Sequence, residues 1–214
     1  MTHYDDFDAA LTPAERHVVA SLATPPKIQA FLDSITYSSD DRYRCPLNVL
    51  RDRRGHCYDG ALFAAAMLRR QGHPPRIVDL LPNARDDDHM LALYREGQYW
   101  GAVAKSNYTG LRFREPVYRS LRELVMSYFE AYFNVAREKT LRAYTVPLNL
   151  AAFDRLGWLT DDGPMGAIAE RLDQIRKAPV ITPEQAERLS PVDERTFQGA
   201  LVGVNEAGLF RMPE

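Results

Sequence analysis

The chain has little cysteine and little net charge. Only Cys45 and Cys57 are present among its 214 residues, which excludes the disulfide framework of a small secreted domain. Its 27 Lys and Arg against 29 Asp and Glu leave a net charge of -2, which argues against nucleic-acid binding. No apolar run approaches the roughly 20 residues that span a bilayer, and residues 1–6 lack the apolar segment of a signal peptide. We therefore expect a cytoplasmic protein with neither nucleic acid nor membrane as partner.

The composition is typical of an ordinary globular protein. Apolar residues make up 45% and charged residues 26% of the chain, and a chain of this length buries about 70% of the surface exposed when unfolded. Neither disulfides nor metal are needed for such a core. We predict a core over residues 1–148 and a small, mostly helical C-terminal extension over 149–214 packed on it. The sequence does not indicate an oligomeric state.

The most informative segment surrounds Cys57. It runs Gly55-His56-Cys57-Tyr58-Asp59-Gly60-Ala61 and leads into an apolar stretch ending at Arg70, so Cys57 is predicted to begin a helix. Unpaired N–H groups and the positive end of the helix dipole favour the thiolate there. Cys57 is thus a candidate nucleophile, and the alternative is a small apolar residue at the start of a core helix.

A candidate base follows at His89. It opens Met90-Leu91-Ala92-Leu93-Tyr94, a predicted strand, and a polar turn around Gly97 joins this strand to a second one beginning at Tyr99. A helix-start Cys and a strand-start His meet across a helix-on-sheet layer, where imidazole takes the thiol proton. The alternative is an ordinary surface or packed histidine.

These residues resemble the transglutaminase-like superfamily of papain-fold cysteine enzymes. The G-x-C-x-x-x-A motif is matched by Gly55, Cys57 and Ala61, and a Gly-x-Pro-x-Arg turn by Gly72-His73-Pro74-Pro75-Arg76. His89 leads a strand and Trp100 follows a hairpin, as in that family. The resemblance spans about residues 27 to 145. It implies an α+β fold in which helices, including the Cys57 helix, pack on an antiparallel sheet.

The chain departs from the family at its third catalytic residue. Ala104 stands where an Asp four positions past the Trp orients the histidine. We select Asn107 as the candidate orienter, because an Asn oxygen accepts an imidazole N–H in papain-like triads. The alternatives are a turn role for Asn107, or orientation by Asp86, Asp87 or Asp88, whose alternating directions beside His89 make such a bond uncommon.

The resemblance implies acyl transfer. The Cys57 thiolate would attack an amide or ester of a peptide or other acyl substrate, and His89 would protonate the departing amine. Backbone N–H groups at the helix start would face the oxyanion, with Asn48 or His56 as a further donor. The alternatives are a binding module that keeps the fold without catalysis, and an arylamine N-acetyltransferase, whose Gly-Gly doublet is absent at Gly55-His56.

Two other groupings contain residue types found in ligand sites. Asp86, Asp87 and Asp88 with His89 and His56 could hold a divalent metal, but consecutive carboxylates are typical of a solvated loop. Neither metal nor cofactor is predicted. The arginines interleaved with aromatics over residues 112–122 suit a carboxylate or phosphate, but salt bridges on a solvated surface are the preferred interpretation.

Local signals define several further elements. A capping box at Thr12 predicts a helix to about Ala23. Pro25-Pro26 is expected to break that helix before a second one over 27–35. A helix is predicted over 121–133. The apolar patch 200–204 is interpreted as a last strand.

Overall fold

The computed structural model describes residues 3–210. The α-helices, in chain order, are α1 (His3–Ala10), α2 (Pro13–Ser21), α3 (Pro25–Ser34), α4 (Pro46–Asp52), α5 (Cys57–Arg70), α6 (Leu121–Met126), α7 (Met165–Gln174), α8 (Pro183–Ala186) and α9 (Glu194–Ala200). The strands are β1 (Thr36–Tyr37), β2 (Arg54–Gly55), β3 (Arg76–Pro82), β4 (His89–Glu96), β5 (Tyr99–Val103), β6 (Arg114–Tyr118), β7 (Leu141–Thr145), β8 (Leu148–Asn149) and β9 (Lys177–Pro179). Short 3-10 helices cover Thr109–Leu111, Phe129–Ala131, Leu150–Leu156 and Glu206–Gly208.

The main sheet is antiparallel throughout. Its strands follow the order β6-β5-β4-β3-β7-β9, and β8 pairs with the start of β3. The predicted hairpin is present, with Gly97 in the left-handed region at φ 57° in the turn between β4 and β5. A separate parallel pair joins β1 to β2.

Side chains alternate across the sheet and divide the core into two layers. On β4, Met90, Ala92 and Tyr94 pack towards α5, whereas Leu91 and Leu93 pack on the opposite layer with α6. Helix α5 is buried on every side from Cys57 to Leu68, as expected for a helix in the centre of a layer. The predicted α+β class, with helices packed on an antiparallel sheet, is confirmed.

Two predicted boundaries are wrong for identifiable reasons. Helix α2 ends at Ser21, before the two prolines, but α3 begins at Pro25 and not at the predicted residue 27, because the first helical positions need no N–H donor. The helix predicted over 121–133 ends at Met126, where the chain continues through Ser127 and a 3-10 turn. The Thr12 capping box is confirmed by reciprocal bonds with Glu15.

The predicted last strand over 200–204 is also wrong. Helix α9 ends at Ala200, and the chain then turns through Gly203, which has a φ of 75°. Three apolar residues in a row are too few to distinguish a strand from the end of a helix.

Residues after 148 complete the core as well as covering it. Strand β9 extends the sheet beyond β7, while Trp158 and Met165 are fully buried in the layer that contains α5. The Tyr58 hydroxyl of α5 donates to the Met165 carbonyl at 2.6 Å. The division into a core and an extension at residue 148 stays a prediction. Within residues 3–210, no helix combines the length and apolar character needed to cross a bilayer.

Two helical glycines provide a matched test of packing on α5. A Cβ at Gly60 would lie 2.2 Å from the Lys105 Cβ, whereas a Cβ at Gly166 in α7 would meet nothing within 4 Å. We expect Gly60→Ala to lower the free energy of unfolding by at least about 2 kcal/mol through overpacking. Gly166→Ala should raise it by about 0.5–1 kcal/mol. Urea denaturation of both variants checks this, and equal midpoints would contradict the close approach of α5 to Lys105.

Candidate active site

Cys57 is held at the start of α5 by a buried carboxylate. Asp59 is fully buried, and it accepts a hydrogen bond from the Arg44 backbone N–H at 2.8 Å and from the His56 backbone N–H at 3.3 Å. Strand β2 delivers the chain to this point beside Tyr37 of β1. The prediction that Cys57 begins a helix is confirmed.

The sulfur of Cys57 is buried and uncharged. The side chain is 6% exposed, and the thiol donates to the Asp88 carbonyl oxygen at 3.8 Å. Burial raises the pKa of Cys57 well above its ordinary value, and the charges of Asp88 and Asp87 raise it further. The sequence predicted the opposite shift from the helix dipole. Because desolvation outweighs the dipole here, the thiol needs a base before it can act as a nucleophile.

His89 is a neutral imidazole with a defined tautomer. Its Nε2 lies 2.7 Å from the carbonyl oxygen of Leu111, and a carbonyl only accepts, so Nε2 carries the proton and Nδ1 keeps its lone pair. Burial lowers the pKa of His89 to about 4. The ring packs edge-on against Tyr132.

The Cys57 sulfur lies against the backbone of the two residues that flank His89 in the chain. The sulfur contacts the carbonyl of Asp88, and the Met90 backbone N–H faces it from the other side of His89. No hydrogen bond joins the sulfur to the imidazole among residues 3–210. The catalytic roles of the two residues therefore stay predictions.

Asn107 does not occupy the orienting position. Its Oδ1 accepts from the Asn205 N–H at 2.8 Å and its Nδ2 donates to the Asn205 carbonyl at 2.9 Å. The Leu111 carbonyl holds Nε2 of His89 instead. Sequence reasoning missed this acceptor because a backbone carbonyl leaves no side-chain signal.

The two candidate oxyanion donors lie in different places. Asn48 donates through Nδ2 to Asp162 at 2.8 Å and does not line the cleft beside Cys57. His56 does line this cleft, and burial lowers its pKa to about 4, so the ring is neutral.

Tyr37, which the sequence did not indicate, also lines the cleft, with its hydroxyl facing the backbone and thiol of Cys57. A two-residue strand such as β1 has too short a pattern to reveal it.

The cleft beside Cys57 has a volume of about 490 Å³ and an acidic lining. Asp79 is the deepest carboxylate: it is 2% exposed and its Oδ1 has no hydrogen-bond partner. Burial, together with the nearby charge of Asp88, raises the pKa of Asp79 to about 8. Burial likewise raises the pKa of Asp88 to about 7. The sequence signal that could have identified Asp79 is its place as the one carboxylate in the otherwise apolar run 77–81.

The segment 205–210, here called the C-terminal strap, lies along the same cleft. Asn205 donates through Nδ2 to the Tyr37 carbonyl at 2.9 Å, in addition to its two bonds with Asn107. Gly208 packs against the Tyr37 ring, and Leu209 and Phe210 line the cleft. Residues of the predicted extension thus form one wall of the site.

Comparison with known proteins supports the predicted resemblance. Residues 23–108 match the family model described as Transglutaminase-like superfamily. This segment contains α3 to β5, with both Cys57 and His89. The predicted resemblance is therefore confirmed.

Similar solved structures include two of Legionella pneumophila LapG, one of them EGTA-treated. Their sequence identities are 13% and 12%, and each comparison has a TM-score of 0.43 and covers 80% of this chain and 98% of LapG. Comparison with curated proteins gives no match.

Replacing Asn107 distinguishes an orienting role from anchorage of the C-terminal strap. We expect Asn107→Ala to speed iodoacetamide labelling of Cys57 severalfold, because two hydrogen bonds worth about 1 kcal/mol each no longer hold Asn205. Asn205→Ala, which keeps Asn107, should show the same direction. Peptide mapping by mass spectrometry measures the rates, and slower labelling in Asn107→Ala alone would restore the orienting role.

Asp79 should make stability depend on pH. Its folded pKa of about 8 exceeds the ordinary value of 3.8, so its stabilising contribution is complete below about pH 4 and is lost as pH rises towards 8. Asp79→Asn lacks this titration. Between about pH 5 and 8, we expect the wild-type free energy of unfolding to fall by at least about 1 kcal/mol more than that of the variant. Urea titrations at both pH values test this, and parallel changes would show that Asp79 ionises normally.

Proposed function

We propose that the protein is a cysteine-dependent acyltransferase or amide hydrolase in which Cys57 is the nucleophile and His89 the base. The bond between His89 Nε2 and the Leu111 carbonyl carries this proposal. It fixes the His89 tautomer in which Nδ1 is an acceptor. His89 directly follows Asp88, whose carbonyl oxygen the Cys57 thiol contacts. Leu111 then replaces the orienting side chain that Ala104 and Asn107 do not supply.

The proposed reaction begins with proton transfer from the thiol to Nδ1 of His89. As the sulfur attacks the carbonyl carbon, a C–S bond forms and the carbonyl π electrons move to oxygen. Collapse breaks the C–N bond, and His89 returns the proton to the departing amine. A water or amine then attacks the thioester and gives its proton to His89, which protonates the departing Cys57 sulfur.

The negative oxygen would be stabilised at the first turn of α5. The Cys57 backbone N–H belongs to the helix start, where N–H groups lack intrahelical partners. The Tyr37 hydroxyl faces the same backbone and is our proposed second donor, with His56 at the cleft wall as the third. One such donor is typically worth about 3 kcal/mol.

The test of this function is an acetyl adduct formed with p-nitrophenyl acetate. We expect the intact protein to be acetylated on Cys57 and His89→Gln to be slower by at least about a hundredfold, because general-base assistance is lost. The rate should fall as pH approaches about 4, since protonated His89 no longer accepts the thiol proton. Mass spectrometry and nitrophenol release measure both effects.

His73→Gln is the matched control, since His73 packs against Tyr94 and lines neither the Cys57 cleft nor the neighbouring pocket that contains His89. Its acetylation rate should equal that of the wild type. Equal rates in wild type and His89→Gln would contradict the dyad. That result would favour the second candidate, a non-catalytic binding module, for which the buried, protonated thiol is the supporting observation.

A further inference from the structure

The cleft beside Cys57 carries charge of one sign. Its described lining residues include no lysine or arginine. The acidic residues along it are Asp40, Asp41, Asp79, Asp87, Asp88 and Asp173. A cleft of one charge sign concentrates ions of the opposite sign.

These carboxylates are not equally available to a ligand. Asp40 is bound by the Arg44 guanidinium at 2.7 Å. Asp79 is different. It lines the cleft, is only 2% exposed, and its Oδ1 has no hydrogen-bond partner. A buried acceptor without a donor costs free energy. A ligand with a charged N–H group would supply the missing donor.

We propose that this cleft binds a lysine or arginine side chain of the substrate, with Asp79 and Asp88 as its acceptors, next to the amide that Cys57 attacks. The proposal rests on the function proposed above and adds its substrate class. Asp79 lies opposite Met90 in the β3–β4 register, and the Met90 N–H faces the Cys57 sulfur. The bound cation would therefore lie close to the reacting thiol.

A basic side chain fits the site better than a metal ion. No group of three His, Cys, Asp or Glu side chains within residues 6–210 has the arrangement to hold a metal. An ammonium or guanidinium group, by contrast, needs only one or two carboxylates.

Binding of a cation also has a chemical consequence at Cys57. The charges of Asp88, Asp87 and Asp79 all raise the pKa of the thiol, and a cation between them and the sulfur would offset this. Substrate binding would thereby make the thiol easier to deprotonate.

Charge-matched thiol reagents test the proposal on the full chain. Cys57 is treated with trimethylammonium-ethyl, sulfonatoethyl and methyl methanethiosulfonate, and each rate is divided by the rate with glutathione. We expect the cationic reagent to exceed the anionic one by at least about tenfold after this normalisation. Asp79→Asn and Asp88→Asn should each reduce the ratio, so that a folding defect in one leaves the other informative. Glu187→Gln, an exposed site outside the cleft, should leave it unchanged.

Competition identifies the cation. Millimolar N-acetyl-lysine methylamide should slow modification by the cationic reagent, and N-acetyl-norleucine methylamide should not. A ratio near one in the wild type, or protection by micromolar calcium chloride with none by the lysine derivative, would overturn the proposal. These readouts need no turnover, so failure of the acetylation test and failure of cation binding are separate results.

Discussion

The position of Cys57, the proposed nucleophile, depends on the buried carboxylate of Asp59. One oxygen accepts from the Arg44 N–H and the other from the His56 N–H, so the loop before α4 and the turn before α5 meet at one group. Burial raises the pKa of Asp59 to about 7, while the Arg44 guanidinium 3.7 Å away favours the charged form. Since Arg44 also binds Asp40 and Asp52, one cation connects the acidic cleft wall to the helix start.

The sequence predicted what depends on local pattern. A Gly-flanked turn before an apolar run places Cys57 at a helix start, and the length and composition of the run after His89 predict β4; both are confirmed. It did not predict the protonated state of the thiol, because burial depends on residues that are distant in sequence. The cleft beside Cys57 is lined in part by the C-terminal strap, whose pairing with Asn107 has no local signature. The start of α3 at Pro25 was misplaced because proline can both end one helix and begin the next.

The Cys57 thiol and the His89 imidazole are both neutral. The thiol pKa is raised and the imidazole pKa is lowered by the same cause, removal from water. The proposed enzyme would therefore begin from an uncharged pair instead of a preformed ion pair. Creating the thiolate and imidazolium then depends on what enters the cleft, which links proton transfer to occupancy by substrate.

The Leu111 carbonyl that holds His89 belongs to the peptide backbone. Arg114 donates to the neighbouring Gly110 carbonyl at 2.9 Å and stacks over the Tyr128 ring, so the turn is anchored from outside the site. An acceptor of this kind persists whichever side chain occupies position 111. Substitution of the Leu111 side chain should therefore leave the His89 tautomer unchanged. The tautomer depends on the position of the backbone turn that carries the Leu111 carbonyl.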